Sequence, residues 1–183
     1  MRRRRSGLHF ALFVLLLAGA AGAAGAQPEK YPFRVSAFYG LGGAIDSDEG
    51  GSSFDNSSYQ LGFSWISEAY IQVGIRYGEL SFDEGPGGRL GSDLTYATIG
   101  GEYLFNEGYY TSGIYAGLGW YGLEDDELPE FGSDDAIGLA LGVTGDFRLT
   151  DRFSIVVELS GHYTDLDDVD LLAMGHAGVA FRF

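Results

Sequence analysis

LLAMGHAGVAFRF, residues Leu171 to Phe183, alternates in character from one residue to the next. Side chains of an extended strand alternate between its two faces. Leu171, Ala173, Gly175, Ala177, Val179, Phe181 and Phe183 therefore share one face, and Leu172, Met174, His176, Gly178, Ala180 and Arg182 share the other. The first face is apolar and ends in two aromatics, whereas the second turns small and polar toward its end.

The same alternation recurs upstream in seven further segments: Phe33 to Ile45, Ser57 to Ile66, Ala69 to Phe82, Ser92 to Phe105, Tyr109 to Leu123, Ala136 to Leu149 and Phe153 to Tyr163. In the fifth the phase is ambiguous, because Tyr115 and Tyr121 share a face with Gly113, Gly117 and Gly119. Polar loops at Asp46 to Asn56, Asp83 to Gly91, Glu124 to Asp135 and Asp165 to Asp170 alternate with tight turns near Ser67-Glu68, Asn106-Glu107-Gly108 and Thr150-Asp151-Arg152. An even number of strands with alternating long and short connections is the asymmetry of a transmembrane barrel. The expectation is an all-β, eight-stranded antiparallel up-and-down transmembrane β-barrel, with both ends of the barrel on the short-turn side.

A soluble barrel would alternate as well, so the character of the less apolar face decides. In water that face favours long charged side chains. Here it carries Ser36, Gly40, Gly42, Ser58, Gly62, Ser64, Gly74, Gly78, Thr98, Gly100, Gly138, Ala140, Gly142 and Thr144. Small residues suit the narrow interior of an eight-strand barrel. The aliphatic and aromatic face then meets lipid, with aromatic girdles at both edges. Phe33, Trp65, Phe105, Tyr109, Phe147, Phe153 and Phe183 are assigned to the short-turn edge, and Tyr59, Tyr77, Phe82, Trp120 and Tyr163 to the loop edge.

Export fits this architecture. Arg2 to Arg5 form a basic n-region, Leu8 to Leu17 an apolar h-region, and Ala24-Gly25-Ala26 a small-residue cleavage site. Residues 1–26 are therefore read as a signal peptide for the Sec route and 27–183 as the barrel. Cleavage leaves seven of the 11 basic residues against 26 acidic ones, a formal charge of about −19, which excludes nucleic acid as a partner. The absence of cysteine excludes a disulfide framework and thiol chemistry.

Seven charged residues fall on the inward phase: Arg34, Arg76, Glu102, Asp146, Arg148, Glu158 and Arg182. Buried charges persist when paired and hydrogen-bonded, so an interior network is expected, with Gln72, His162 and His176 as neutral partners. It reads first as a plug and second as the gate of a narrow ion or solute channel.

Other chemistry is weaker. Glu158, Ser160 and His162 lie on one strand face, but successive same-face residues are about 6.6–6.8 Å apart, too far for direct relay. Their phase also puts them in the lumen, away from lipid. Asp46-Ser47-Asp48-Glu49-Gly50-Gly51 begins like an EF-hand loop but has Ser57 where the twelfth ligand belongs. Asp165, Asp167, Asp168 and Asp170 are the remaining metal candidates; no cofactor is expected. Loops this acidic repel bare lipid phosphate, so contact with lipopolysaccharide is expected to need divalent cations.

Residues His176, Gly178, Phe181 and Phe183 match the polar–x–Gly–x–x–aromatic–x–aromatic signature of outer-membrane barrel C-terminal strands. With the signal peptide, strand count and loop asymmetry, the chain resembles the small Gram-negative outer-membrane barrels of the OmpX and OmpA-membrane-domain type. That resemblance implies residence in the outer membrane, and recognition of the last strand by the barrel-assembly machinery. It implies closure of the barrel by that strand against the first one. It also implies a non-enzymatic role in envelope structure, or in contact with a surface ligand or host partner, a lipid-modifying enzyme being the distant alternative. No cell-wall-binding domain is expected after Phe183.

Overall fold

The computed structural model describes residues 30–45, 54–68, 70–84, 90–125, 134–166 and 169–183. The proposed signal peptide, residues 46–53 of the EF-like loop, and Asp167 and Asp168 lie outside them. Eight strands form among the described residues: β1 (Phe33–Ala44), β2 (Asn56–Glu68), β3 (Ile71–Glu84), β4 (Leu90–Glu107), β5 (Tyr110–Asp125), β6 (Asp134–Arg148), β7 (Phe153–Tyr163) and β8 (Leu171–Arg182). Each pairs antiparallel with its neighbour in sequence, and β8 pairs with β1, closing the barrel. The closing register sets Arg34 opposite Arg182 and Gly40 opposite His176. Closure leaves no unpaired edge, the condition for strands to reside in hydrocarbon.

Several ends extend one or two residues beyond the sequence expectation. Charge does not interrupt a ladder whose backbone groups still find partners: Asp93 pairs with Glu124 and Ser92 with Asp125 on the long β4–β5 hairpin. The turn after β4 needs a left-handed residue, and Gly108 (φ 75°) supplies it.

The apolar residues face outward. Val35, Leu61, Ile75, Ile99, Leu141, Val157 and Val179 are all exposed on the wall, a continuous apolar surface too large for a monomer in water. Phe33, Trp65, Phe105, Tyr109, Phe147, Phe153 and Phe183 are exposed toward the short turns; Tyr59, Tyr77, Trp120 and Tyr163, together with Tyr39, toward the long loops. On β7 these limits, Phe153 and Tyr163, lie about 33 Å apart along the strand, or about 25 Å vertically at a tilt near 40°, the height of an apolar membrane band. Phe82 departs from its expected place in the outer girdle. It is 4 % exposed and packs inside, because it shares the inward phase of Arg76, Gly78 and Leu80.

β5 resolves equally clearly. Its glycine-and-tyrosine face is the lumenal one, with Tyr115 and Tyr121 fully buried. A Cβ at Gly142 would clash with the Tyr115 ring, and one at Gly78 with that of Tyr96. Glycine on one strand thus makes the space that a tyrosine from another fills, consistent with the dense packing of protein interiors.

Candidate functional site in the barrel lumen

Inward side chains from all eight strands fill the lumen in successive levels. At the short-turn end Asp146 on β6 holds two arginines: Arg182 Nη2 lies 2.5 Å and Arg34 Nη2 3.5 Å from Oδ2. Arg182 also donates to Ser154 Oγ (2.7 Å), and Arg34 to Gln72 Oε1 (3.5 Å). Arg148 lines the same small cavity, of about 10 Å³, with no acidic partner among the described residues. This end is therefore cation-rich, with three guanidinium groups around one carboxylate.

One level further in, Arg76 bridges two carboxylates. Its Nε is 3.2 Å from Glu158 Oε2 and its Nη2 is 3.4 Å from Glu102 Oε2. Each carboxylate has further donors. Gln60 and Tyr115 donate to Glu158 Oε1 at 3.1 and 3.3 Å, Gln72 donates to Glu102 Oε2 at 2.9 Å, and Thr144 donates to Glu102 Oε1. Desolvation makes buried ions costly unless this kind of saturation is achieved. The cavity left around this group is about 20 Å³, room for roughly one water.

Above it lies a neutral level. Tyr96 donates to Gln60 Oε1 (3.1 Å); His162 shares hydrogen bonds with Tyr121 Oη (2.8 Å) and Ser160 Oγ (3.0 Å); His176 shares one with Ser58 Oγ (3.0 Å). Nearest the long loops, Leu80, Phe82, Leu94, Leu123, Leu172 and Met174 form an apolar cap with Leu166 and Val169 from the last loop. That loop folds back onto itself: Thr164 N donates to Asp170 O at 2.9 Å, and the Thr164 hydroxyl donates to Val169 O.

All seven inward charges thus lie in the lumen. Six form two ion-paired groups, joined through Gln72, and Arg148 stands apart. His162 and His176 belong to the neutral level and touch neither group's carboxylates directly. The spacing argument against Ser160 and His162 needs correction. Their side chains do meet, because the imidazole reaches along the strand where backbone spacing alone says it cannot. Glu158 instead serves Gln60, Arg76 and Tyr115, and Tyr121 occupies the other ring nitrogen. No acid–His–Ser relay forms, and the apolar cap covers the pair. Of the metal candidates, Asp165 and Asp170 are described, and among the described residues no group of three or more acidic or histidine side chains converges.

The terminal motif divides between the two faces. His176 and Gly178 point inward, and a Cβ at Gly178 would collide with the Ala37 carbonyl oxygen of β1. Phe181 packs on Phe153 (centroids 4.9 Å), and Phe183 on Phe33 (5.8 Å). Sequence reasoning did not find the lumenal Gln60 and Tyr96, nor the apolar cap. For Gln60, Tyr96 and the strand residues of the cap the signal was present, since they sit on the same phase as the inward glycines and charges; Leu166 and Val169 lie in a loop, outside any strand phase.

No protein-family model matches this sequence, nor does the sequence of any curated protein. Solved structures do match in fold. Neisserial surface protein A superposes with TM-score 0.62 at 16% identity, covering 82% of this chain and 97% of that one. The N-terminal β-barrel domain of Pseudomonas aeruginosa OprF gives 0.59 at 16% identity, with 82% and 97% covered. Ail, the attachment invasion locus protein of Yersinia pestis, gives 0.56 at 18% identity, with 84% and 99% covered. The fold is that of the small eight-stranded outer-membrane barrels, the OmpX and OmpA-membrane-domain type.

Proposed function

We propose that this chain is a plugged, non-enzymatic barrel of the outer membrane, exported by residues 1–26, that displays acidic loops at the cell surface. The observation that carries this reading is the pairing of an apolar outer wall with a lumen filled from end to end. The filled lumen leaves the four long loops as the working surface. They hold 17 of the 26 acidic residues and one base, Arg89. One neighbour, Ail, has been seen with the heparin analogue sucrose octasulfate. Loops of this sign repel such a polyanion, so the ligands that suit them are cationic surfaces, or lipopolysaccharide phosphates reached through divalent cations. His176, Gly178, Phe181 and Phe183 serve as the insertion signal for the assembly machinery.

The channel alternative requires a continuous path, and the ion-paired levels and the apolar cap both obstruct one. Two measurements test the reading together. The membrane-extracted protein is expected to run as a folded band in unheated SDS and to shift on boiling. Reconstituted into planar bilayers, it is expected to add no single-channel current above background. A soluble periplasmic protein without the shift would overturn the membrane reading, and steady conductance would overturn the plug.

A further inference from the structure

Among the described residues, Arg34, Arg76, Arg148 and Arg182 project into the lumen, which leaves Lys30 and Arg152 as the only cations on the outside. Both converge on Tyr31. Lys30 Nζ lies 5.0 Å and Arg152 Cζ 4.8 Å from its ring centroid. They meet from distant parts of the chain, Lys30 ahead of β1 and Arg152 in the β6–β7 turn. The backbone fixes that meeting: Ile66 N donates to Pro32 O at 2.7 Å and Arg182 N to Arg152 O at 2.8 Å. Hydrogen bonding from Arg152, and then from Lys30, holds the Tyr31 hydroxyl below its usual pKa. The cations are exposed at the edge of the band, close in sequence to Phe33 and Phe153, whose rings pack on Phe183 and Phe181.

The wall on the same strand pair is grooved. Ser112 pairs with Gly145 across β5–β6, and Gly145 with Val157 across β6–β7. Small outward residues there open a cavity of about 330 Å³ lined by Phe105, Tyr110, Ser112, Gly145, Val157 and Leu159. Val157 stands four residues above Phe153, about 13 Å along the strand, within the span from a phospholipid's phosphate to the middle of its acyl chain.

We infer that this face is a binding site for an anionic phospholipid of the short-turn leaflet, its phosphate at Lys30, Tyr31 and Arg152 and one acyl chain in the groove. The inference rests on the membrane-spanning reading. Long basic side chains at a membrane edge reach for headgroups while aromatic rings hold the interface. Each cation near an anionic surface raises the local concentration of anionic lipid about fivefold. Inorganic phosphate would use the cations and leave the groove unfilled, whereas a phospholipid uses both.

Phe105 lines the groove and is exposed near the short turns, so a tryptophan placed there by Phe105→Trp reports on this face. Trp65→Phe and Trp120→Phe leave it as the sole tryptophan. Its quenching by brominated phosphatidylglycerol and by brominated phosphatidylcholine would be compared at equal mole fraction in vesicles. We expect at least fivefold enrichment of phosphatidylglycerol, falling to parity in K30Q/R152Q and partly in S112L, which fills the groove. All variants should keep the heat-dependent gel shift. Parity in the parent, or enrichment unchanged by K30Q/R152Q, overturns the headgroup site; enrichment unchanged by S112L overturns the place of the chain. Quenching by neither lipid, with no gel shift, overturns the membrane reading itself.

Discussion

The Arg76 guanidinium lies over the Tyr115 ring, its Cζ 3.8 Å from the ring centroid, while the same group bridges Glu158 and Glu102. A stacked arginine keeps its in-plane donors free, so one side chain satisfies an aromatic face and two carboxylates at once. Removing it leaves two carboxylates buried without a counter-ion. Arg76→Gln is expected to cost about 3–5 kcal/mol, read as a lower urea midpoint for loss of the folded gel band in vesicles. Glu158→Gln, which keeps hydrogen bonding with Gln60 and Tyr115 available, should cost less. Equal losses from the two variants would show that the charge at Arg76 is not what holds this level together.

Asp146 differs from the other two acids because it is outnumbered. Arg34 and Arg182 pair with it and Arg148 stands at the same cavity. Asp146→Asn is expected to destabilise by about 3–5 kcal/mol, because it leaves like charges confined together. Arg148→Gln should change stability by less than about 0.5 kcal/mol, as expected for a partly exposed group without an ion-pair partner among the described residues. The pair of unfolding midpoints checks this, and a large loss in R148Q would mean that Arg148 has an essential partner.

Backbone crowding at the closing seam gives a sharper contrast. A side chain at Gly178 would meet the Ala37 carbonyl, a backbone atom that cannot move without breaking the β1–β8 ladder. Gly178→Leu is expected to abolish the heat-dependent shift. At Gly101 an added Cβ would find its nearest neighbour, Gln72 O, at 4.0 Å, and Gly101→Ala should fold as the parent does. If G178L still shifts on boiling, closure does not depend on that close approach.

The barrel was legible in the sequence because period-two alternation is a backbone property and survives any choice of partner. Residues such as Arg76, Glu102 and Arg182 could be placed in the lumen from their phase alone. Who pairs with whom could not be read, since that depends on strand stagger. Arg76 meets Glu158, 82 positions away, across the barrel rather than along a strand. Phe82 lies inside rather than in the outer girdle because strand phase outweighs aromatic identity. Leu166 and Val169 were hidden for the opposite reason: they sit among Asp165, Asp167, Asp168 and Asp170, and the charge of that loop masks two apolar side chains that turn inward.

Those two residues make the barrel's second seal. Leu166 and Val169 are 3 % and 1 % exposed and pack with Leu80, Leu94, Leu123 and Leu172, while the ion-paired level around Arg76 lies deeper. Obstructions in series add their resistances, so the lumen stays closed while either one holds. L166S/V169S is expected to lower stability by about 3–5 kcal/mol through lost apolar burial, yet to leave bilayer current at background. Arg76→Gln alone should likewise leave it there. Current should appear when both seals are broken, in L166S/V169S/R76Q protein that retains the folded gel band. Current in L166S/V169S alone would mean that the ion-paired level does not block ions, and current in R76Q alone would mean the same of the apolar cap.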